Sequence, residues 1–219
     1  MSIFDNYPNF LSRDHRTTPI SNDSFHRYTL TQKLVSWRCN TYFPKGVKDK
    51  SILDIGCATG IIGLWCMAHG AKCYIGVDYD STYITIAKEC FDETPFSAIF
   101  YKNDALKFMK SAGRYDIVIA SGINTRFENQ RDFFDNLAQC TKETIIFESI
   151  ISIIPPQLAN KKAVIYHDST NTIPTIPYIS YILKNYNFIF DNSFYKKTKK
   201  DAVNLFENKR CILKYDKQI

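Results

Sequence analysis

From Ser51 onward the chain alternates short β-rich runs with stretches of helical periodicity, and this alternation restricts the possible folds more than any other feature. Residues 51–55, 73–77, 96–101, 115–120 and 144–150 read as strands, and 60–69, 81–91, 105–110 and 130–140 read as the helices between them. Strands separated by helices of this length form right-handed βαβ units, so they are expected to lie parallel in one sheet. The end of the chain breaks the pattern. A helix over 176–185 is followed by two strand-like runs, 188–194 and 210–215, with no helix of convincing length between them, which predicts a terminal antiparallel hairpin. The expected fold is α/β, a doubly wound, mostly parallel seven-stranded sheet with a C-terminal antiparallel strand.

Two segments lie outside the alternation. Residues 1–50, with one helix expected over 30–42, read as an N-terminal helical cap segment, and 51–219 as the main domain. Residues 151–175 form an insertion after the fifth strand, carrying Pro155, Pro156 and Pro174 and little periodicity. Connections longer than about 15 residues in compact domains are commonly lids, so 151–175 is expected to cover a substrate. Both segments would lie at the carboxyl ends of the strands, where open α/β sheets bind ligands.

Composition narrows the classes. Of 219 residues, 45% are hydrophobic and 15% aromatic, enough for a packed core and unlike a disordered chain. No apolar run approaches the roughly 20 residues of a membrane span, and residues 1–10 lack the pattern of a signal peptide, so the expected location is cytoplasmic. Seven scattered cysteines without knuckle spacing read as buried thiols. The net charge of +6 is partly concentrated in Lys196, Lys197, Lys199 and Lys200. That run reads first as a solvated loop and second as a phosphate-contacting patch.

The most specific motif is Leu53-Asp54-Ile55-Gly56-Cys57-Ala58-Thr59-Gly60, leaving a strand and opening a helix. Gly56 permits a sharp turn, Gly60 permits close approach at the helix start, and the exposed backbone N–H groups there can hold a polar or anionic ligand. Asp78 closes the second strand 24 residues after Asp54, placed to accept hydrogen bonds from both hydroxyls of a ribose. A ligand-free strand–turn–helix and a dinucleotide oxidoreductase are the competing readings. The loop departs from the oxidoreductase pattern G-x-G-x-x-G, because Ala58 stands between the glycines.

The stretch from Ile52 to Asp80, including Tyr79, resembles motif I and its acidic successor in class I S-adenosylmethionine-dependent methyltransferases. Asn103-Asp104, followed by Ala105, resembles the motif that reaches the adenine amino group. Residues Asp116 to Gly122, with Ser121, resemble the fourth-strand motif beside the methionine part of the cofactor. The resemblance covers about residues 50–150. It implies S-adenosylmethionine as cofactor and S-adenosylhomocysteine as product. Asp54 would orient the loop and the cofactor's amino group, Gly56, Cys57, Ala58 and Gly60 would line the methionine portion, Asp78 would hold the ribose and Asp104 the adenine. Ala58 stands where many members have glycine.

Methyl transfer from a sulfonium requires an acceptor held in line and, for a hydroxyl, removal of its proton; no metal is chemically required. The segment Ser121-Gly122-Ile123-Asn124-Thr125-Arg126-Phe127 lacks the Pro-Pro-aromatic signature of adenine amino methylases, and no cysteine suits pyrimidine carbon methylation. Oxygen is the remaining acceptor. A finer resemblance, carried by Ser121-Gly122-Ile123, Phe147-Glu148-Ser149 and Ile173-Pro174-Thr175, links the chain to bacterial small-molecule and sugar O-methyltransferases or to wobble-uridine tRNA-modification enzymes. The expected acceptor is a small or carbohydrate-like molecule, phosphorylated or nucleotide-linked. RNA is the second reading and a non-catalytic cofactor-binding subunit the third. Candidate bases are His167, flanked by Tyr166 and Asp168, and then Glu148. Arg126 and Tyr166 are candidate acceptor contacts. His69 is assigned to capping a helix end. His26 and Tyr28 of the N-terminal segment are further candidates to reach the pocket.

Overall fold

The computed structural model describes residues 3–13, 24–123, 127, 129–150, 166–167, 172–195 and 210–218, in two compact units, Met1–Ala105 and Leu106–Ile219. The first unit contains α1 (Ile3–Asn6), α2 (Pro8–Arg13), α3 (Ser24–Tyr42), β1 (Ser51–Ile55), α4 (Ile61–Ala68), β2 (Cys73–Asp78), α5 (Ser81–Asp92) and β3 (Ile99–Lys102). β2 pairs in parallel with β1 on one side and with β3 on the other. The apolar β1 is buried from Ile52 onward, as expected of a parallel strand covered on both faces. α5 is amphipathic, burying Ile84, Ala87, Cys90 and Phe91, and Asp80 caps its start by accepting a hydrogen bond from the Thr82 N–H at 2.7 Å.

α4 is apolar nearly all round and buries six consecutive residues, Ile61 to Cys66. It ends as the sequence indicates. The His69 ring lies over Trp65, with centroids 3.8 Å apart, and its Nδ1 is 2.7 Å from the Trp65 carbonyl oxygen. Gly70 then turns the chain at φ 82°. The N-terminal segment is more helical than its sequence suggests: α3 begins at Ser24, and α1 and α2 precede it. Tyr7 and α2 dock on α5 and the loop after it, and α1 packs on α2, so local propensity alone does not reveal them. Phe10 meets Phe91 edge-on at 5.3 Å, Tyr7 meets Phe96 at 6.3 Å, and the Asn9 amide donates to Glu93 at 2.5 Å. Helices this short depend on tertiary packing.

The second unit contains α6 (Ala105–Ser111), which begins at the division, β4 (Tyr115–Ser121), α7 (Gln130–Gln139), β5 (Thr141–Ile150), β6 (Tyr166–His167), β7 (Thr172–Ile173), α8 (Ile176–Lys184), β8 (Phe188–Phe190) and β9 (Arg210–Lys217). β4 and β5 are parallel, while β9 runs antiparallel to β5 on one side and to β8 on the other. The last strand is therefore inserted between its predecessors, the antiparallel element that the sequence anticipates. β8 is shorter than expected because Asp191 turns the chain, its carboxylate accepting from the Phe194 N–H at 2.9 Å. Phe133, Phe134 and Phe147 form the centre of this unit, with Phe127 stacked on Phe133 at 4.7 Å. Within the 151–175 connection, β6 and β7 pair antiparallel; the remainder of the expected lid up to Asn171 lies outside the described residues. No helix among the described residues is long and apolar enough to cross a membrane.

Candidate functional site

The parallel register of the first unit brings the carboxyl ends of β1, β2 and β3 to one edge, so that residues 56–60, 79–80 and 103–104 follow one another there. Backbone bonds lock these loops together. The Val77 carbonyl accepts from Gly56 at 2.8 Å and from Cys57 at 3.1 Å, and the Asp78 carbonyl accepts from Asn103 at 3.0 Å. The loop itself requires left-handed backbone at Gly56, Ala58 and Gly60. At Gly60 the constraint is double: φ is 72°, and a Cβ there would stand 2.8 Å from the Phe100 ring. Ala58 adopts φ 44° in spite of its methyl group. Such a conformation costs an L-residue roughly 1–2 kcal/mol.

Asp78 is half-buried, and both its oxygens are engaged by backbone. Oδ2 accepts from the Ala58 N–H at 2.9 Å and Oδ1 from the Asp80 N–H at 3.0 Å. The acid at the end of β2 thus clasps the glycine loop. A carboxylate offers about four acceptor positions, so this clasp leaves room for two further donors. Asp54 is 2% exposed and accepts from the Tyr74 hydroxyl at 2.6 Å. Burial, reinforced by the Asp54 charge, pushes the Tyr74 phenol well above its ordinary pKa and keeps it a donor. Cys57 is buried, and its backbone N–H joins the loop lock. Tyr79 is 77% exposed and Asp104 exposed, while Ala105, half-buried, opens α6.

Two residues of this site went unrecognised in the sequence. Thr59 is fully buried, and among the described residues its hydroxyl has no hydrogen-bond partner. It sits immediately before Gly60, the N-cap of α4, which supplies no side-chain cap to the first N–H groups of the helix. Thr59 lies inside the motif, but residue type and spacing do not mark a hydroxyl as buried and without a partner. Tyr74 had only a weak signal, an aromatic with a polar tip on the strand beside the acid.

In the second unit, Ser121 is half-buried at the end of β4, and Gly122 donates its N–H to the Glu148 carbonyl at 2.8 Å. Glu148 is fully buried inside β5, paired with Ser121 on one side and Ile212 on the other. Tyr166 and His167 form β6. Arg126, Asp168 and the four lysines of 196–200 lie outside the described residues, as do the side chains of His26 and Tyr28.

Residues 52–144 match the family model described as a methyltransferase domain. The chain is 50% identical over 50 residues to protein arginine N-methyltransferase 1 of Saccharomyces cerevisiae, covering 23% of this chain and 14% of that protein. It is 33% identical over 73 residues to a putative protein N5-glutamine methyltransferase of Methanocaldococcus jannaschii, covering 33% of this chain and 36% of that one. The chain thus spans well under half the length of these curated relatives.

Among solved structures it resembles magnesium protoporphyrin IX methyltransferase from Synechocystis PCC 6803 with bound S-adenosylhomocysteine (TM-score 0.65, 16% identity, 98% of this chain and 97% of that chain). It also resembles the [4+2]-cyclase SpnF (TM-score 0.64, 12% identity, 99% and 93%). The fold shared with these structures is α/β, a seven-stranded, mostly parallel sheet with one antiparallel strand, as in the methyltransferase among them.

Proposed function

We propose that this chain is an S-adenosylmethionine-dependent methyltransferase whose first unit holds the cofactor. The observation that carries the reading is the buried Thr59 hydroxyl without a partner, set in a left-handed loop at the uncapped start of α4. Leaving such a group unsatisfied costs about 1–3 kcal/mol, a cost that a polar ligand at the loop would remove. The flanking chemistry fits the cofactor: one acid on each side of the loop for an amino group and a ribose, Asp54 and Asp78, with Asp104 and Tyr79 for the adenine. Ser121, in the second unit, is a further cofactor candidate on the resemblance of its strand motif. When bound, the cofactor supplies a methyl group already activated by its sulfonium. The protein's own residues then bind, orient and exclude water.

The acceptor in this reading is an oxygen of a small or sugar-like molecule, phosphorylated or nucleotide-linked. The length of the 151–175 connection supports it, since connections this long are commonly lids, and the reading takes Tyr166 and Arg126 as acceptor contacts, His167 as the base and Glu148 as the next candidate. All seven cysteines are thiols, which suits the proposed cytosolic location. A protein acceptor is favoured by the names of the curated relatives. Those matches cover only a quarter to two-fifths of the chain, and the family model stops at residue 144. They therefore bear on the cofactor half more than on the acceptor. The cyclase among the structural neighbours is a reminder that this fold hosts other chemistry.

Calorimetry with S-adenosylhomocysteine tests the cofactor reading, with micromolar-scale binding expected. Binding of NADH without any response to S-adenosylhomocysteine would overturn it. Transfer of tritiated methyl groups, compared across a metabolite extract, total RNA and total protein, tests the acceptor, with label expected in the metabolites. Label confined to RNA and falling steeply with salt would replace the small-molecule reading with the nucleic-acid one. Binding without transfer to any fraction would leave a cofactor-binding subunit.

A further inference from the structure

Tyr74 lies in β2, 1% exposed, and its hydroxyl meets the buried carboxylate of Asp54 on the neighbouring strand. The parallel register pairs Ile52 with Tyr74 and Asp54 with Gly76. Residues two apart on a strand share a face, so Tyr74 and Asp54 project to the same side of the sheet, one step apart. Directly across from Asp54 there is no side chain at all. A Cβ on Gly76 would fall 2.7 Å from the Cys57 sulfur and 2.8 Å from the Phe100 ring, so those two side chains occupy the space. The phenol reaches the carboxylate along the diagonal that this gap leaves open.

The ring is held as tightly as the hydroxyl. Gly63, in the middle of α4, lets the helix settle onto it, because a Cβ there would come within 2.5 Å of Tyr74 Cε1. A glycine inside a helix costs about 1 kcal/mol relative to alanine, a cost that close packing onto Tyr74 explains. Phe100 flanks the ring, with centroids 6.0 Å apart, and itself lies against Gly60 and Phe91. The glycine loop, the start of α4 and the Asp54 carboxylate thus share one aromatic support. Rotation of a carboxylate about its last side-chain bond is soft, and a short hydrogen bond to an ionised acid is among the strong ones, so a donor held as rigidly as Tyr74 helps to set its orientation.

We propose that Tyr74 is a positioning residue that fixes the Asp54 carboxylate for the amino group of the cofactor's methionine portion. The inference rests on the proposed cofactor reading. Its test compares two nucleosides, S-adenosylhomocysteine and 5′-methylthioadenosine, which lacks the amino-acid portion. Wild-type protein that binds neither would sink the cofactor reading itself, independently of Tyr74. Given wild-type binding, Tyr74→Phe, which removes one oxygen atom, is expected to weaken S-adenosylhomocysteine about tenfold. Binding of 5′-methylthioadenosine should change less than about twofold, within ordinary surface-substitution scatter. Equal losses for both nucleosides would show a merely structural tyrosine, and an unchanged affinity for both would show no role; either result overturns the proposal. Asp54→Asn attacks the same bond from its other end and is expected to give the same split between the two nucleosides. A loss shared equally by both in that variant would count against the proposal even if Tyr74→Phe did not fold.

Discussion

The two units place their polar side chains in contrasting positions. In the first, Asp78 and Asp80 sit at a strand end and a helix start, and each is satisfied by backbone N–H groups within a few residues or across one loop. In the second, Glu148 and Ser149 are buried in the body of β5, in a ladder with β9, whose pairing residues come some 60 positions later. Polar groups at strand ends can meet a ligand without disturbing the sheet. The contrast teaches that the strand-end acids of the first unit are set by short-range geometry, whereas the buried pair in β5 depends on pairing between distant segments.

The sharpest way to break that contrast is to remove the proposed base. His167→Ala is expected to lower turnover by roughly 10²–10⁴-fold while leaving S-adenosylhomocysteine affinity nearly unchanged. Wild-type turnover in this variant would pass the role to Glu148, to be examined as Glu148→Gln. On the cofactor side the largest effect is expected from Asp78→Ala, which removes both the ribose acceptor and the clasp on Ala58. Calorimetry should show a loss of more than about 1.5 kcal/mol, over tenfold in affinity. An unchanged affinity in a folded variant would remove Asp78 from the site.

Smaller effects sharpen the same comparison through stability. Gly60→Ala forces a methyl group onto Phe100 and into left-handed backbone. Overpacking of this kind costs about 1–3 kcal/mol, and each kcal/mol lowers Tm by about 2–4 °C in a chain of this size. A Tm equal to wild type would mean that the Phe100 ring moves aside. Ala58→Gly should act in the opposite direction, raising stability by less than about 1 kcal/mol, because relief of the left-handed alanine is partly offset by the greater freedom of glycine in the unfolded chain. A fall in Tm would show that loss of the Ala58 methyl group, which is 0% exposed, outweighs the relief of backbone strain.

Alkaline pH probes both units together. Burial pushes the Cys140 thiol up to about 12 and raises Cys39, Cys66, Tyr74 and Tyr215 above their ordinary values. Each folded-state pKa lies above the unfolded one, so the unfolded chain loses its protons first. The stability these groups contribute is fully present below pH ~9, the ordinary thiol range, and is lost as pH rises toward about 12. Thermal melts between pH 8 and 10.5 should show Tm falling, and Cys140→Ala should make that fall shallower. A flat profile would contradict the burial of these groups.

Much of the glycine-loop region was legible in the sequence because its signals are local. The turn at Gly56–Gly60, the acid at Asp78 and the His69 cap each follow from residue type and spacing of a few positions. Thr59 and Tyr74 were not legible, since a buried orphan hydroxyl and a phenol aimed at Asp54 exist only once β1, β2 and α4 are packed. The helices α1 and α2 escaped for a related reason: α2 is held by Phe10 on Phe91 and Asn9 on Glu93, contacts between residues more than 80 positions apart, and α1 packs on α2. The expected strand over 188–194 erred the other way: the turn-forming run Asp191-Asn192-Ser193 interrupts the apolar residues, and Asp191 makes the turn there.

By itself, then, the amino-acid sequence determined the alternation of strands and helices, their parallel pairing, the left-handed loop and the acids on either side of it. These depend on periodicity and on backbone conformations that neighbouring residues control. Only the tertiary structure decided which groups those elements bring together: the clasp of Asp78 on Ala58, the phenol on Asp54, the burial of Glu148 between β4 and β9, and the insertion of β9 between β5 and β8. The physical reason is that hydrogen bonds and close packing act over a few ångströms in space, while the residues they join here are separated by about twenty to seventy positions along the chain.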